Sequence, residues 1–315
     1  MLEMAEGQAD GLRFGTKAET LKRLSTKLRN AVVPPLVYFT VGEWRRNPDA
    51  VCGEIRARPW ARKPLAVRSS ALCEDGDGVS NAGRFTSCLG VRLGPELSRA
   101  IETVIDSFGE SHDGDQVLVQ PQLTDTVASG VCSSCEPSTG APYRLVNWSQ
   151  GSDTTVVTSG LPGIHTWHFL AQKDARPPVH HLASLPALAE ELETLVGDSP
   201  FEFEFAVAAD LTLMLLQVRR LAAPTAAIPR RAHQAAVQRI QQQVSALRSH
   251  RPPAVGSDTL LGVMPDWNPA EMIGLRPRPL ALSLYRRLIT DDTWAESRRL
   301  YGYCPAHWRN GLRID

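Results

Sequence analysis

The sequence lacks long apolar runs, an excess of one charge and a second close pair of cysteines. No window reaches about 18 uninterrupted apolar residues, which argues against a membrane span. Lys+Arg and Asp+Glu are equal at 34 each, so the net charge favours neither nucleic acid nor an anionic membrane as a partner. The acidic N-terminus has no apolar signal core, and this predicts a cytoplasmic protein.

The cysteine pattern provides no metal site. Cys132 and Cys135 form the one close pair, in the run "CSSC". A structural zinc site needs a second pair of ligands at comparable spacing, and none follows. A redox pair normally opens a helix, whereas this pair lies in or just beyond a predicted strand. We therefore predict free thiols.

Periodicity and turn residues predict a mixed α and β chain of 315 residues, long enough for one large domain or two moderate ones. The predicted helices are at 16–29, 95–110, 233–249, 268–274, 279–290 and 292–300. The predicted strands lie within 32–41, 63–70, 88–94, 116–123, 128–134, 143–149, 154–160, 201–208 and 211–219.

The hairpin "FEFEFAVA…LTLMLLQVR" places polar groups on one face of a sheet. Period-two alternation puts Glu202 and Glu204 on the face opposite the phenylalanines, and Gln217 and Arg219 emerge together from the partner strand. Carboxylate and carboxamide oxygens suit magnesium, and an arginine beside them can bind phosphate in a fork. The alternative is an exposed sheet face that carries a cross-strand salt bridge.

A glycine-punctuated loop follows Arg68 at the end of a predicted strand. Gly76, Gly78 and Gly83 allow the backbone to approach a ligand closely. Free N–H groups beside an arginine can form a phosphate cradle, although the loop has neither the Walker pattern nor the dinucleotide fingerprint. An ordinary surface loop with one arginine remains the alternative.

Five segments resemble one known domain. "AVRSSALCED" and "SNAGRFTSCLGV" are similar to A-V-R-S-S-A-x-x-E-D and S-x-A-G-x-x-x-x-x-L-x-V in the nucleotide-binding domain of the phosphoenolpyruvate synthase and pyruvate phosphate dikinase family. This domain is an ATP-grasp relative that also occurs in rifampin phosphotransferase. "GTKAETLKRL", "VLVQPQL…ASGVCSSCEPSTG" and "EFEFAV…LMLLQVRR" follow the family's order, so the resemblance spans about residues 12 to 222.

The resemblance implies an α+β, ATP-grasp-like domain of two lobes with a mainly helical C-terminal extension. The expected boundaries are 1–115 for the N-terminal lobe, 116–222 for the C-terminal lobe and 223–315 for the extension. The implied cofactors are ATP and Mg²⁺.

The resemblance also implies catalytic roles for three cations. Lys17 and Arg68 would neutralise the phosphate chain, and Arg219 would clamp the phosphates during transfer. The loop at Gly83 would lie over them. Such catalysis is electrostatic, because phosphoryl transfer needs positioning and charge neutralisation more than covalent help from the protein.

The remaining implied contacts involve the base and the metal. Gln120 would lie in the hinge strand that receives the adenine. Glu204 and Gln217 would hold Mg²⁺.

The sequence departs from the family pattern in several places. The segment "VNWSQGSDTTVVTSG" lacks the family's final glutamate, for which Asp153 is a possible substitute. Arg84 stands where Gln or Lys is common, and Arg220 replaces a customary proline. None of the eight histidines lies in the carrier motif that the family phosphorylates, and His180 and His181 are expected to be structural or solvent-facing.

Three functions remain open. The chain could pass a phosphoryl or pyrophosphoryl group from ATP to a histidine on a separate carrier protein. It could act directly on a small-molecule acceptor, as a kinase or as an ATP-grasp ligase that activates a carboxylate. It could also be a catalytically weak, ATP-binding regulatory module. The joint presence of Lys17, Arg68, Glu204, Gln217 and Arg219 favours an ATP-dependent phosphotransferase.

Overall fold

The structure, a computed structural model, describes residues 12–72, 85–151, 163–170, 175–197, 199–221, 230–249, 269–274 and 276–301. The chain divides into two compact units, Met1–Ile228 and Pro229–Asp315. None of the helices in the described ranges has the length and apolar character needed to cross a membrane.

The first unit contains a four-stranded sheet in the order β1-β4-β2-β3, in which every pair is antiparallel. Its strands are Val37–Thr40 (β1), Leu65–Ser70 (β2), Ser87–Val91 (β3) and Gln116–Pro121 (β4). The helices of this part of the unit are Lys17–Leu24 (α1), Val41–Arg46 (α2), Pro48–Arg56 (α3) and Pro95–Asp106 (α4), with a 3₁₀ turn at Pro59–Arg62.

A five-stranded antiparallel sheet, in the order β7-β6-β5-β8-β9, completes the described part of this unit. Its strands are Thr126–Ser133 (β5), Tyr143–Gln150 (β6), His165–Leu170 (β7), Phe201–Ala208 (β8) and Leu213–Arg220 (β9). The helix Leu185–Val196 (α5) precedes β8, and a 3₁₀ turn covers His180–Leu182.

The described elements of the second unit are all helical. They are Arg230–Ser249 (α6), Pro269–Ile273 (α7), Pro279–Tyr285 (α8), a π-helix at Arg286–Asp291 and Thr293–Arg299 (α9).

Apolar periodicity explains how the long helices of the first unit bury one face. In α4, proline occupies the first turn and the residues at spacings of three and four are buried: Leu97, Ala100, Ile101, Val104 and Ile105. In α5, the same spacing buries Leu185, Leu188, Ala189, Leu192 and Val196, and the helix ends at Gly197 with a φ of 80°.

Each face of the four-stranded sheet has a different covering. Val117 and Val119 of β4 belong to a core cluster with residues of α3 and α4. Leu118 points to the other face and joins a second cluster with α1, α5 and the five-stranded sheet. Helix α1 contacts both β4 and β9. It therefore connects the two sheets.

The α+β class predicted from the sequence is confirmed by these two sheets and their helices. Strand β4 begins at the predicted lobe boundary, residue 116, but pairs with β1 and β2 of the first sheet. Helices α2, α3 and α5 and strand β7 were not predicted. The strand predicted at 154–160 lies outside the described residues.

The close cysteine pair consists of free thiols, as predicted. Cys132 is fully buried in the core, and this burial raises its pKa to about 12. Burial also raises the pKa of Cys135, with a smaller contribution from the neighbouring Glu136. Both thiols therefore stay protonated at neutral pH, which disfavours redox or metal chemistry at this pair.

Candidate functional site

A β-bulge determines which side chains of the hairpin share a face. Glu204 is opposite Gln217, but the next residue of β8 is opposite Leu215, so Leu216 is an additional residue on β9. Leu215 on one side of the bulge and Val218 on the other both belong to the core cluster. Gln217 consequently points away from that core, to the face of Glu204.

Glu204 and Gln217 are direct cross-strand partners, and their side-chain oxygens suit Mg²⁺. Opposite residues in an antiparallel pair have Cβ atoms about 5 Å apart, so both side chains can reach one ion. Gln217 is only 4% exposed, whereas Glu204 is half-buried. Within the described ranges, no group of three or more His, Cys, Asp or Glu side chains could hold a metal. Mg²⁺ commonly binds one or two protein oxygens and takes its other ligands from water and phosphate, and the Glu204–Gln217 pair supplies two such oxygens.

Arg219 is the next outward-facing residue of β9, and it pairs with Glu202 across the hairpin. The guanidinium Nε donates to a carboxylate oxygen of Glu202, and Nη2 contacts the same oxygen. The alternative left open by the sequence, a cross-strand salt bridge, is thus present at this position. The guanidinium has five N–H donors, and this ion pair uses only its Nε and Nη2 side.

The sheet face that carries Glu204 and Gln217 also has buried polar side chains on β5. Ser133 lies opposite Glu202 and is buried, and Ser129, four residues earlier on β5 and opposite Ala206, is also buried. Buried polar side chains are costly unless they find partners, so this surface differs from an ordinary core face. A few polar side chains at fixed positions on such a face can orient a ligand.

Lys17 and Arg68 lie on segments that hydrogen-bond to each other. Lys17 is the first residue of α1 and is buried. The backbone N–H of Ala18 donates to the Oγ of Ser70, at 2.9 Å. Arg68 precedes Ser70 by two residues, so its side chain lies on the same face of β2. Strand β2 runs two residues beyond Arg68, so this arginine is not the last residue of the strand.

Gln120 lies on β4, opposite Ala66 of β2. Its side chain is buried, and its Nε2 donates to the carbonyl oxygen of Pro34 at 3.3 Å. Arg68 lies two residues after Ala66, the register partner of Gln120. Gln120 and Arg68 therefore lie on the same face of the four-stranded sheet.

The predicted site residues therefore form two groups in the first unit. Glu204, Gln217 and Arg219 are neighbours on the β8–β9 hairpin, and Lys17, Arg68 and Gln120 lie on α1, β2 and β4. Helix α1, which begins at Lys17, contacts both β4 and β9 and so links the two groups. Their convergence on one ligand remains a prediction.

Five residues of the predicted site or its departures lie outside the described residues: Gly76, Gly78, Gly83, Arg84 and Asp153.

The sequence analysis did not assign roles to Glu202, Ser70 and Gln116, which contact the predicted site residues or the helix that carries Lys17. Glu202 could have been found, since period-two alternation already placed it beside Glu204. Ser70 and Gln116 contact Ala18 and Thr16, which lie 52 and 100 positions earlier in the chain, and no local pattern reveals this.

The turn after β5 gives a pH-dependent prediction. The carboxylate of Glu136 accepts hydrogen bonds from the backbone N–H groups and hydroxyls of Ser138 and Thr139. These bonds, that of the Thr139 hydroxyl first, lower the pKa of Glu136 to about 2. Because the pKa is lowered on folding, the stabilisation is present above the ordinary pKa of 4.5 and is lost as the pH falls towards 2.

We expect the carboxyl resonance of Glu136 to titrate near pH 2 in an NMR experiment. Amide exchange at Ser138 and Thr139 should accelerate over the same window. A midpoint for Glu136 near the ordinary value of 4.5 would contradict the capped turn.

Comparison with protein-family models gives one match. Residues 19–112 match the AMP/ATP-binding domain of pyruvate phosphate dikinase. This match confirms the predicted resemblance to the nucleotide-binding domain of that family over these residues, and the two antiparallel sheets with their helices agree with the predicted α+β class. The matched segment includes Arg68, while Lys17, Gln120 and the hairpin residues lie outside it.

The solved structures that match the chain include a synthetase and two ligases. D-alanyl-alanine synthetase A from Vibrio cholerae is 15% identical, with a TM-score of 0.42 over 70% of this chain and 60% of that chain. VanG D-Ala:D-Ser ligase from Enterococcus faecalis is 17% identical, with a TM-score of 0.39 over 65% and 52%. An L-amino acid ligase from Bacillus licheniformis is 12% identical, with a TM-score of 0.41 over 65% and 42%.

The chain spans less than two thirds of the length of each of these three structures. No curated protein sequence matches it.

Proposed function

We propose that the chain binds Mg-ATP and transfers a phosphoryl or pyrophosphoryl group. The acceptor is a small metabolite or a histidine on a separate carrier protein. The observation that carries the proposal is the Glu204–Gln217 pair with Arg219 beside it, in a chain whose residues 19–112 match an ATP-binding domain.

The three cations neutralise the phosphate chain from different parts of the first unit. Arg68 is half-buried on β2 and contributes its positive charge to the phosphate site in this proposal. Lys17 begins α1, where the helix N-terminus adds its own attraction for negative charge. Arg219 offers the N–H groups that do not face Glu202. Each cation contributes about 3 kcal/mol to lowering the barrier if it is correctly placed.

Glu204 and Gln217 would hold the metal ion through their side-chain oxygens. When it is bound, Mg²⁺ would neutralise charge on the phosphate oxygens. Glu204 would supply the negative charge that retains the ion, and the buried amide of Gln217 would supply a neutral oxygen ligand. Gln120 lies on β4, the strand that receives the adenine in this proposal.

The nucleotide product tests the proposal. The protein is incubated with Mg²⁺, γ-³²P-ATP or α-³²P-ATP and candidate acceptors, and the labelled products are separated. AMP with phosphate or pyrophosphate supports dikinase-like transfer, and acid-labile label on a carrier protein identifies a histidine acceptor. ADP with a phosphorylated metabolite supports direct transfer by a kinase.

Two outcomes would overturn the proposal. ADP and phosphate formed together with a condensed carboxylate product would establish a ligase. Tight ATP binding with no turnover for any acceptor would establish a regulatory module. A variant with Lys17, Arg68 and Glu204 all replaced serves as the blank for contaminating ATPases.

A further inference from the structure

We infer that Gln116 is a positioning residue that fixes Lys17 relative to Arg68. This inference rests on the proposed function, in which both cations bind the phosphates of ATP. The buried Gln116 of β4 sets the distance between helix α1, which carries Lys17, and strand β2, which carries Arg68.

Both ends of the Gln116 amide bind the first turn of α1. Its Oε1 accepts a hydrogen bond of 2.6 Å from the hydroxyl of Thr16, and its Nε2 donates to the Oε1 of Glu19 at 3.0 Å. Thr16 is the N-cap of α1 and also accepts from the backbone N–H of Glu19. Gln116 is only 6% exposed. Thr16, Gln116 and Glu19 thus form a hydrogen-bonded network at the first turn of the helix that begins at Lys17.

Ser70 provides a second attachment beside the first. Its Oγ accepts the N–H of Ala18, at 2.9 Å, and Ser70 is fully buried. Ser70 and Gln116 are register partners on β2 and β4. The sheet therefore holds α1 by the residue before Lys17 and by the residue after it.

The two attachments connect the cations through rigid elements. Arg68 lies two residues before Ser70 on the same face of β2, and Lys17 lies between the two attached residues of α1. A helix cap requires only the Thr16 hydroxyl, so the contacts of Gln116 add a constraint that capping does not need. A displacement of about 1 Å at a phosphate contact is enough to weaken catalysis strongly.

The remainder of α1 is held independently of Gln116. Leu21 and Leu24 are buried in the core cluster beneath the five-stranded sheet. We therefore expect that loss of the Gln116 contacts displaces the first turn without unfolding the helix.

The test exchanges the polar groups of Gln116 and Glu19. Gln116→Glu removes the donor to Glu19 and brings two carboxylates together, so the Kd for Mg-ATP should rise about tenfold. Glu19→Gln keeps an acceptor for Gln116 and should bind ATP nearly as well as the wild type. The double variant Gln116→Glu/Glu19→Gln restores the hydrogen bond in the reverse direction with unchanged net charge, and it should recover most of the affinity.

The Lys17→Met background separates positioning from general damage. If Gln116 acts through Lys17, then Gln116→Glu should not weaken ATP binding further in this background. The matched control is Gln238→Glu, the same charge change at an exposed position of α6. Melting temperatures of all variants are measured alongside the titrations.

The outcomes distinguish the two proposals. If Lys17→Met weakens ATP binding but Gln116→Glu does not, the inference is wrong and the proposed function stands. If Gln116→Glu has the same effect with and without Lys17, the glutamine does not act through this lysine, and the inference is again wrong. If Lys17→Met leaves ATP binding unchanged, the role of Lys17 in the proposed function is wrong.

Discussion

Glu204→Ala is expected to lower Mg-ATP turnover by about a thousandfold, which corresponds to about 4 kcal/mol of lost transition-state stabilisation. The substitution removes the one carboxylate of the Glu204–Gln217 pair, and the amide alone carries no charge to retain Mg²⁺. The fold should persist, because Glu204 is half-buried on the face opposite the core cluster and its neighbours Phe203 and Phe205 supply the core contacts.

Three measurements check this expectation: product formation from ATP, the Mg²⁺ dependence of nucleotide binding by calorimetry, and the melting temperature. Glu190→Ala is the matched control, since Glu190 is an exposed glutamate on α5 away from the hairpin. Glu204→Gln keeps the shape of the side chain and should also lose Mg²⁺ dependence. Full turnover by Glu204→Ala would falsify the assigned metal role.

The sequence predicted the polar face of the β8–β9 hairpin but not the β-bulge that produces it. Counting in twos from Leu213 and Leu215 would place Gln217 on the core face with them. The bulge at Leu216 reverses this parity, so Gln217 joins Glu204 and the core residue becomes Val218. The four consecutive apolar residues at 213–216 do not reveal such a bulge in the sequence, because either face of the strand could be the buried one.

The ion pair of Arg219 shows a different limit of sequence reasoning. Alternation placed Glu202 and Glu204 together, yet the choice of which carboxylate faces Arg219 depends on the register of the two strands. The structure pairs Glu202 with Arg219 and Glu204 with Gln217. The predicted phosphate clamp is therefore held in place by a carboxylate that the motif comparison did not assign.

The contacts of Gln116 could not be predicted from any local pattern. A glutamine at the start of an apolar strand normally suggests a solvent-facing end. Here it is buried against Thr16, a hundred positions away in the chain. By contrast, helix α5 could have been predicted, since "LPALAEELETLV" has apolar residues at spacings of three and four.

Glu193→Ala should be the most destabilising single substitution proposed for this protein, with a loss of about 3 to 5 kcal/mol in the free energy of unfolding. Its partner Arg144 has a side chain only 4% exposed, and the Nη2 of Arg144 donates to Glu193 Oε2 at 2.6 Å. The guanidinium also donates to the Pro186 carbonyl and lies 5.9 Å from the ring of Phe169. Removal of the carboxylate leaves a buried cation without its counter-ion.

Thermal unfolding of a double-substitution cycle separates the cost of an unpaired charge from the net contribution of the pair. Glu193→Ala should lower the melting temperature by roughly 10 °C. Arg144→Met/Glu193→Leu should recover most of this loss, because replacing both partners by apolar side chains of similar volume avoids the desolvation of either charge. The exposed pair Arg58–Glu54 is the control, and Glu54→Ala should cost less than about 1 kcal/mol. If Glu193→Ala cost no more than that control, Arg144 would have to be hydrated when unpaired, contrary to its burial between β6 and α5.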